Sequence, residues 1–470
     1  MIKTKILVTI GPSSSSQEVV ELFIKERVSG IRINFSHGDP GTWDNYVKTL
    51  TEVSEKYGQY PALIGDLPGA QVRIGVTEAF QVRKGEVVPL LVRKDKVGER
   101  KAILIESAEL LEKLDVGDVV LIDDGRLKFI AKEVSSEEAQ LISLSDGVVG
   151  SRKTIVIEGK EHEQPFLTEK SIEILKYAVS RNFTYLMLSY VRSQRDVRLV
   201  KDVLRSIDGS NIGLIAKIET RSAYENLAEI VNEADAILIA RGDLGMHFGL
   251  EEIPSIQSSI TLRVREVGKP VIVATQLMES MVNNPQPTRS EVVDVVNCVK
   301  EGVDAVLLTG ETAIGKYPIE AVKWLKKIIS TAEKSLSLSS EYRKTAQADV
   351  REKYTLGLVL LAESLGAKLL VYTMSGSMPS RISKYRPQVE VYAGTSSKAI
   401  VKKLSIYYGT NALLVNDSKT YEEGLNNLYR KLLEIGVLSY GDIVILTYGS
   451  KDRLNNYLRI FEVISSTTSI

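Results

Sequence analysis

Short unbroken apolar runs recur along the first three quarters of the chain. They are Ile6–Ile10, Gly30–Asn34, Ala62–Asp66, Tyr185–Tyr190, Gly213–Ile218, Ala236–Ala240, Pro270–Thr275 and Ala305–Thr309. All but Gly30–Asn34 lack polar alternation, so the series predicts strands buried on both faces, as in a parallel sheet. Helical patterns lie between most of them. After the eighth run, Pro318 opens a stretch with apolar residues at Ile319, Val322, Leu325 and Ile329, which is helix spacing. Eight alternating β and α units predict an α/β fold, a (β/α)8 TIM barrel.

Two features interrupt the repeat. Between Asp66 and Tyr185 lie about 120 residues, against the dozen or so that a crossover needs. That segment holds short β-branched runs, Val87-Val88 and Val119-Val120 among them, punctuated by Lys84-Gly85, Asp123-Asp124-Gly125 and Asp146-Gly147. It predicts a small inserted all-β domain over 70–160, at the C-terminal face of the barrel. The barrel itself would then comprise 1–69 and 161–344. Beyond it, Leu369–Thr373, Val389–Ala393, Ala412–Val415 and Ile443–Tyr448 alternate with helical stretches. They predict a separate C-terminal open α/β domain over 345–470.

Composition narrows the function. The 470 residues include 60 Lys+Arg and 60 Asp+Glu, so no net charge draws the chain to nucleic acid. The single cysteine, Cys298, excludes an intramolecular disulfide. His37, His162 and His247 are the only histidines, too few and too scattered for a zinc site. No apolar run approaches a membrane span, and no signal-like segment follows Met1. The expectation is a cytoplasmic protein without nucleic-acid or membrane partners.

The strand ends carry the polar residues: Thr9, Arg32, Asn34, Asp66, Ser189, Lys217, Glu219, Asp243, Thr275 and Glu311. In such a barrel the active site lies at those ends. Lys217 and Glu219 stand at i and i+2, on one face of a strand. Asp243 follows the next strand, so its carboxylate can converge with that of Glu219. Two carboxylates that leave room for waters and substrate suit Mg2+ or Mn2+. Gly242 and Gly245 let backbone N–H groups approach an anion. A plain Lys217–Glu219 salt bridge is the alternative; Asp243 and the glycines beside it argue for the metal.

These segments resemble the pyruvate kinase family over nearly the whole chain, domain order included. The resemblance rests on Thr9-Ile10-Gly11-Pro12, Arg32-Ile33-Asn34-Phe35-Ser36-His37-Gly38, Ala216-Lys217-Ile218-Glu219-Thr220 and Ala240-Arg241-Gly242-Asp243-Leu244-Gly245. It continues through Ala274-Thr275-Gln276-Leu277-Met278-Glu279-Ser280-Met281, Pro287-Thr288-Arg289 and Thr309-Gly310-Glu311-Thr312-Ala313. It implies phosphoryl transfer from phosphoenolpyruvate to ADP, giving pyruvate and ATP. Glu219 and Asp243 would hold the divalent ion. Lys217 would stabilise the phosphoryl group in flight and then the enolate oxygen. Gly242, Asp243 and Thr275 would bind the substrate carboxylate, Thr275 would lie on the protonation route, and Arg32 would grip the phosphate. Asn34, His37, Arg73 and Lys153 would face the nucleotide.

The resemblance also implies that the insertion is a small β-barrel lid and the C-terminal domain regulatory, and two further features bear on ions and effectors. Asn34, Ser36 and Asp66 match ligands of the family's monovalent cation, but Leu67 replaces a threonine and Gln71 supplies neither charge found there. Independence from K+ is the expectation. Thr373, Ser375, Gly376 and Ser377 form a hydroxyl-rich loop of the kind that binds a phosphorylated effector, with an ordinary helix cap as the alternative. The family resemblance also implies a homotetramer. A Mg2+-dependent aldolase or lyase acting on a pyruvate enolate is the rival enzyme class, and a sensor with a dead site is the rival outside enzymology.

Overall fold

The computed structural model describes residues 1–69, 72–75, 78–92, 101–105, 108–123, 125–161, 165–335, 349–449 and 456–463. Eight parallel strands close a barrel in sequence order, the eighth pairing back onto the first through Lys5–Ala305 to Val8–Leu308. They span Lys5–Thr9, Gly30–Asn34, Ala62–Leu67, Tyr185–Leu188, Gly213–Ile218, Ala236–Ala240, Val271–Ala274 and Ala305–Leu308. Nearly every residue in them is buried, which is why the runs lack alternation. The helices between are started and stopped by local chemistry. Asp39 caps Pro40–Tyr57, and Gly58 ends it at φ 61. Thr168, Ser193 and Thr288 each make reciprocal capping boxes.

Four strands stop one or two residues short of their apolar runs, at Thr9, Leu188, Ala274 and Leu308. Tyr190 and Thr275 lie past the strand ends and turn left-handed, at φ 56 and 67. A β-branched or aromatic residue prefers extended backbone, so other contacts hold these turns.

The insertion is a curled six-stranded sheet with a two-stranded sheet beside it. It has its own apolar core around Leu90, Ile103, Phe129, Leu141 and Ile157. Glu161, at its return to the barrel, accepts from Ser222 N–H at 2.8 Å and ties that crossing to the helix after the fifth strand.

Beyond the barrel, five strands lie in the order Thr410–Leu414, Val391–Thr395, Lys368–Tyr372, Ile443–Gly449 and Asn456–Glu462. Only the last is antiparallel. This domain closes the N-terminal end of the barrel. Ile406 packs among the inward residues Leu7, Ile64, Met187, Ile215 and Leu238. Tyr185 donates to Lys403 O at 2.8 Å, and Lys5 Nζ donates to Thr410 O at 2.6 Å. With that end plugged, the open mouth is the C-terminal one.

Candidate active site

A cavity of about 640 Å³ occupies the mouth, lined by Thr9, Arg32, Asn34, His37, Asp66, Lys217, Asp243 and Thr275 among others. At its floor the fifth strand places Lys217 and Glu219 side by side. The ammonium lies 2.9 Å from Glu219 Oε1 and 3.6 Å from Asp66 Oδ1. It donates to Ser189 Oγ at 2.9 Å. Burial pulls the Lys217 pKa down, but the charges of Asp66, Glu219 and Asp243 outweigh it and hold the ammonium more firmly protonated than usual.

Asp66 is equally committed. Arg32 clamps its Oδ2 from Nε at 2.8 Å and Nη2 at 2.5 Å, and fixes itself to Thr9 Oγ1 at 3.0 Å through Nη1. Ser189 Oγ donates to Leu67 O at 2.8 Å and stands 3.3 Å from Asp66 Oδ1. Burial alone would raise the Asp66 pKa, but Lys217 and Arg32 reverse it, so the carboxylate is held below its usual range. Charges in this site are paired or hydrogen-bonded, as burial demands.

Glu219 is the exception that points to a ligand. It is 0% exposed, and its Oε2 accepts from the Tyr190 N–H at 2.6 Å. Its Oε1 is sealed from water and receives no well-aligned hydrogen bond, with the Lys217 ammonium 2.9 Å away. Burial pushes this carboxyl's pKa up, against the pull of Lys217. A second cation beside Oε1 would relieve that cost. Asp243 approaches from the adjacent strand end, its Oδ1 receiving the Tyr190 hydroxyl at 2.7 Å. Among the described residues no group of three or more His, Cys, Asp or Glu side chains forms a metal cluster. Two hard carboxylates, Glu219 buried and Asp243 on the cavity lining, are a donor set that suits a divalent ion whose shell is completed by waters and substrate oxygens.

Across the mouth, Thr275 Oγ1 accepts the Gly242 N–H at 2.9 Å. The left-handed pair Thr275-Gln276 (φ 67 and 52) is held by one side chain. Arg241 donates to Thr275 O from Nη2 at 2.9 Å and to Gln276 O at 2.7 Å, and Asp294 Oδ1 takes its Nη1 at 2.7 Å. This fork offsets the ~1–3 kcal/mol that such a backbone costs. Glu311 does related work nearby, accepting from Thr309 N–H at 2.8 Å and Met278 N–H at 3.2 Å.

The strand-end pattern predicts the residues that line this mouth, Lys217, Asp243, Thr275, Arg32 and Asp66, with Glu219 beside Lys217. It assigned no role to Tyr190 or Arg241. A signal existed for Arg241, an arginine between a buried strand and Gly242 that must find partners. For Tyr190 there was none, because it reads as one more strand residue.

The outlying residues are placed as follows. His37 is exposed at the rim, with its carbonyl taken by Trp43 Nε1 at 2.7 Å. Asn34 Oδ1 accepts the N–H of exposed Ser36 at 3.0 Å. On the insertion, Arg73 Nη1 donates to Arg152 O at 2.9 Å, and Lys153 pairs with Asp123 at 2.7 Å. His247 is buried, which pulls its pKa down, and sits as a packing residue beside Phe248 and Arg221. In the C-terminal domain, Thr373 Oγ1 accepts the Gly376 N–H at 2.9 Å, with Gly376 left-handed at φ 81. Ser375 and Ser377 are exposed before the helix Ser377–Lys384. Gln71 and His162 lie outside the described residues.

Comparisons with known proteins match nearly the whole chain. The family model described as "Pyruvate kinase, barrel domain" matches residues 1–322, and "Pyruvate kinase, alpha/beta domain" matches 353–461. A relative named pyruvate kinase from Aeropyrum pernix is 35% identical over 449 residues, 96% of each chain. Another of that name, from Thermotoga maritima, is 33% identical over 98% of this chain and 100% of its own. The crystal structure of pyruvate kinase from Pyrobaculum aerophilum superposes with a TM-score of 0.86 at 33% identity, covering 98% of this chain and 99% of that one. With both family models in order and relatives matched along nearly their whole lengths, the chain belongs to the pyruvate kinase family.

Proposed function

We propose that the enzyme transfers the phosphoryl group of phosphoenolpyruvate to ADP, giving pyruvate and ATP, the last step of glycolysis, with Mg2+ or Mn2+ as its divalent ion. The observation that carries the reading is Lys217, an ammonium held charged at the floor of the mouth, 2.9 Å from a buried carboxylate whose other neighbour is Asp243 across Tyr190. Phosphoryl transfer asks little covalent help and much placed positive charge. A divalent ion on Glu219 and Asp243 would supply that charge to the substrate's phosphate and carboxylate oxygens.

The chain's own groups do the rest. Arg32, immobilised on Asp66 and Thr9, presents its guanidinium to the phosphate. Lys217 meets the phosphoryl group during transfer, then the enolate oxygen left behind. Gly242 and Asp243 N–H groups with Thr275 orient the carboxylate, and the Thr275 hydroxyl lies on the proton route to the enolate carbon. Asn34 and His37 face the nucleotide. Arg73 and Lys153 would exchange Arg152 O and Asp123 for nucleotide phosphates as the inserted domain closes.

A coupled assay with phosphoenolpyruvate, ADP and Mg2+ tests the reading. Activity that persists without ADP would favour the lyase alternative; none under any condition would sink both. Run with tetramethylammonium as the only monovalent cation, the rate should hold, because Leu67 and Gln71 break the family's cation pattern and Asp66 is spent on Arg32. Strict loss there would overturn K+ independence. The exposed hydroxyls of Ser375 and Ser377 support a phosphorylated effector at that loop, and substrate curves unmoved by sugar phosphates and nucleotides would remove it. The proposal extends to a cytoplasmic homotetramer, on the family resemblance; sedimentation at the 52.0 kDa of one chain would refute the assembly.

Arg241→Lys keeps a charge beside Asp294 but loses the fork that grips Thr275 and Gln276. The carboxylate pocket should loosen, and kcat/KM for phosphoenolpyruvate should fall roughly 10²-fold, the scale of a 1 Å misplacement. An unchanged value would show that the turn holds itself.

A further inference from the structure

Tyr190 makes two hydrogen bonds to two different carboxylates. Its backbone N–H donates to Glu219 Oε2 at 2.6 Å, and its phenol donates to Asp243 Oδ1 at 2.7 Å. These carboxylates come from the ends of the fifth and sixth strands, while Tyr190 follows the fourth. One residue from a third strand end therefore sets the position of both.

The residue is shaped for this. Its backbone is left-handed at φ 56, which an aromatic side chain rarely adopts and which other contacts must maintain. Its ring is pinned from the side by Gly69: a Cβ on that glycine would lie 2.4 Å from Tyr190 Cδ2 and 2.8 Å from Ser189 Cβ. Only glycine leaves room for the ring there. Gly69 stands two residues past the third strand, so the ring is lodged between that strand's exit and the carboxylates. A phenol held this way keeps its orientation with little entropy left to lose.

We propose that Tyr190 is a positioning residue for the divalent ion, its N–H and hydroxyl presenting Glu219 and Asp243 as a preformed pair. The inference rests on the reading of those carboxylates as the metal site. Each carboxylate has one oxygen taken by Tyr190, which fixes the orientation of both groups. Groups that hold metal ligands from behind typically contribute 10- to 100-fold in metal affinity.

The test is Mn2+ titration of the full chain, without substrate, followed by the loss of the free-ion electron paramagnetic resonance signal. Three proteins are compared: wild type, Tyr190→Phe and Glu219→Gln. Tyr190→Phe keeps the ring against Gly69 and deletes only the hydroxyl. It should weaken Mn2+ at least tenfold while its melting temperature in the absence of metal stays that of wild type. In steady state, the Mg2+ concentration for half-maximal rate should rise in parallel, with kcat at saturating Mg2+ recovering most of its value. Tyr190→Phe that binds Mn2+ as tightly as wild type, or more tightly, overturns the proposal. If wild type holds no Mn2+ that Glu219→Gln weakens, the metal-site reading itself falls; if it does and Tyr190→Phe matches wild type, only the role of Tyr190 falls.

Discussion

Replacing Lys217 with methionine should lower kcat by about 10³- to 10⁵-fold, the range seen when a placed cation is removed from phosphoryl transfer. Methionine keeps the length and apolar stem of the side chain, so the strand and its neighbours can stay in place. What is lost is a charge 2.9 Å from Glu219 and 3.6 Å from Asp66. The loss should appear in kcat far more than in KM for phosphoenolpyruvate, because the ammonium is needed most where charge develops. A secondary effect is expected at Glu219. Burial already pushes that carboxyl's pKa up, with Lys217 pulling against it. Without Lys217 more of it would be protonated near neutrality, so the Mg2+ requirement should rise at low pH and relax as pH increases. The coupled assay at saturating Mg2+ separates the two effects, since only the kcat loss survives saturation. Lys217→Arg should not rescue, because a planar fork cannot occupy the place of a compact ammonium among three carboxylates. A methionine variant within tenfold of wild type would remove Lys217 from the chemistry.

Much of this site was legible because barrel strands advertise themselves. A strand buried on both faces shows as an unbroken apolar run, and a charged residue at its end then stands out. Lys217 and Glu219, two apart at such an end, had to share a face, and they do. Asp243 on the next strand followed from order alone. The illegible parts are those set by contacts between distant segments. Thr275 reads as a strand residue because it is β-branched, yet Arg241, 34 positions away, holds it left-handed. Tyr190 reads as a strand residue because it is aromatic, and its hydroxyl partner lies 53 positions on. Lys153 looked free to reach a nucleotide, but Asp123 faces it within the insertion, a pairing no local spacing reveals. Ile406 carries no mark that it would plug the barrel's closed end, since an isoleucine before two tyrosines fits any buried position.

Removing Arg386 should destabilise the fold by about 3–5 kcal/mol, the cost of leaving a buried charge without its partner. Asp304 is 1% exposed and Arg386 4%. The guanidinium meets that carboxylate through Nη2 at 2.6 Å and Nη1 at 3.1 Å, donates to Gly302 O at 3.0 Å, and lies over the Tyr408 ring. Asp304 stands just before the eighth barrel strand, whereas Arg386 and Tyr408 belong to the C-terminal domain. The pair therefore joins the two bodies where Ile406 enters the barrel. Arg386→Met fills a similar volume and leaves Asp304 charged, with N–H donors from Val271 and Tyr408 as its main remaining support. Adding Asp304→Asn removes the stranded charge, so the double variant should be more stable than Arg386→Met alone. Both are read from denaturant midpoints monitored by tyrosine and tryptophan fluorescence. Activity at 25 °C should change little, because Asp304 sits at the end of the barrel opposite Lys217. A single variant with an unshifted midpoint, or a double variant no better than the single, would mean that apolar contacts such as Ile406, and not the ion pair, hold the domains together.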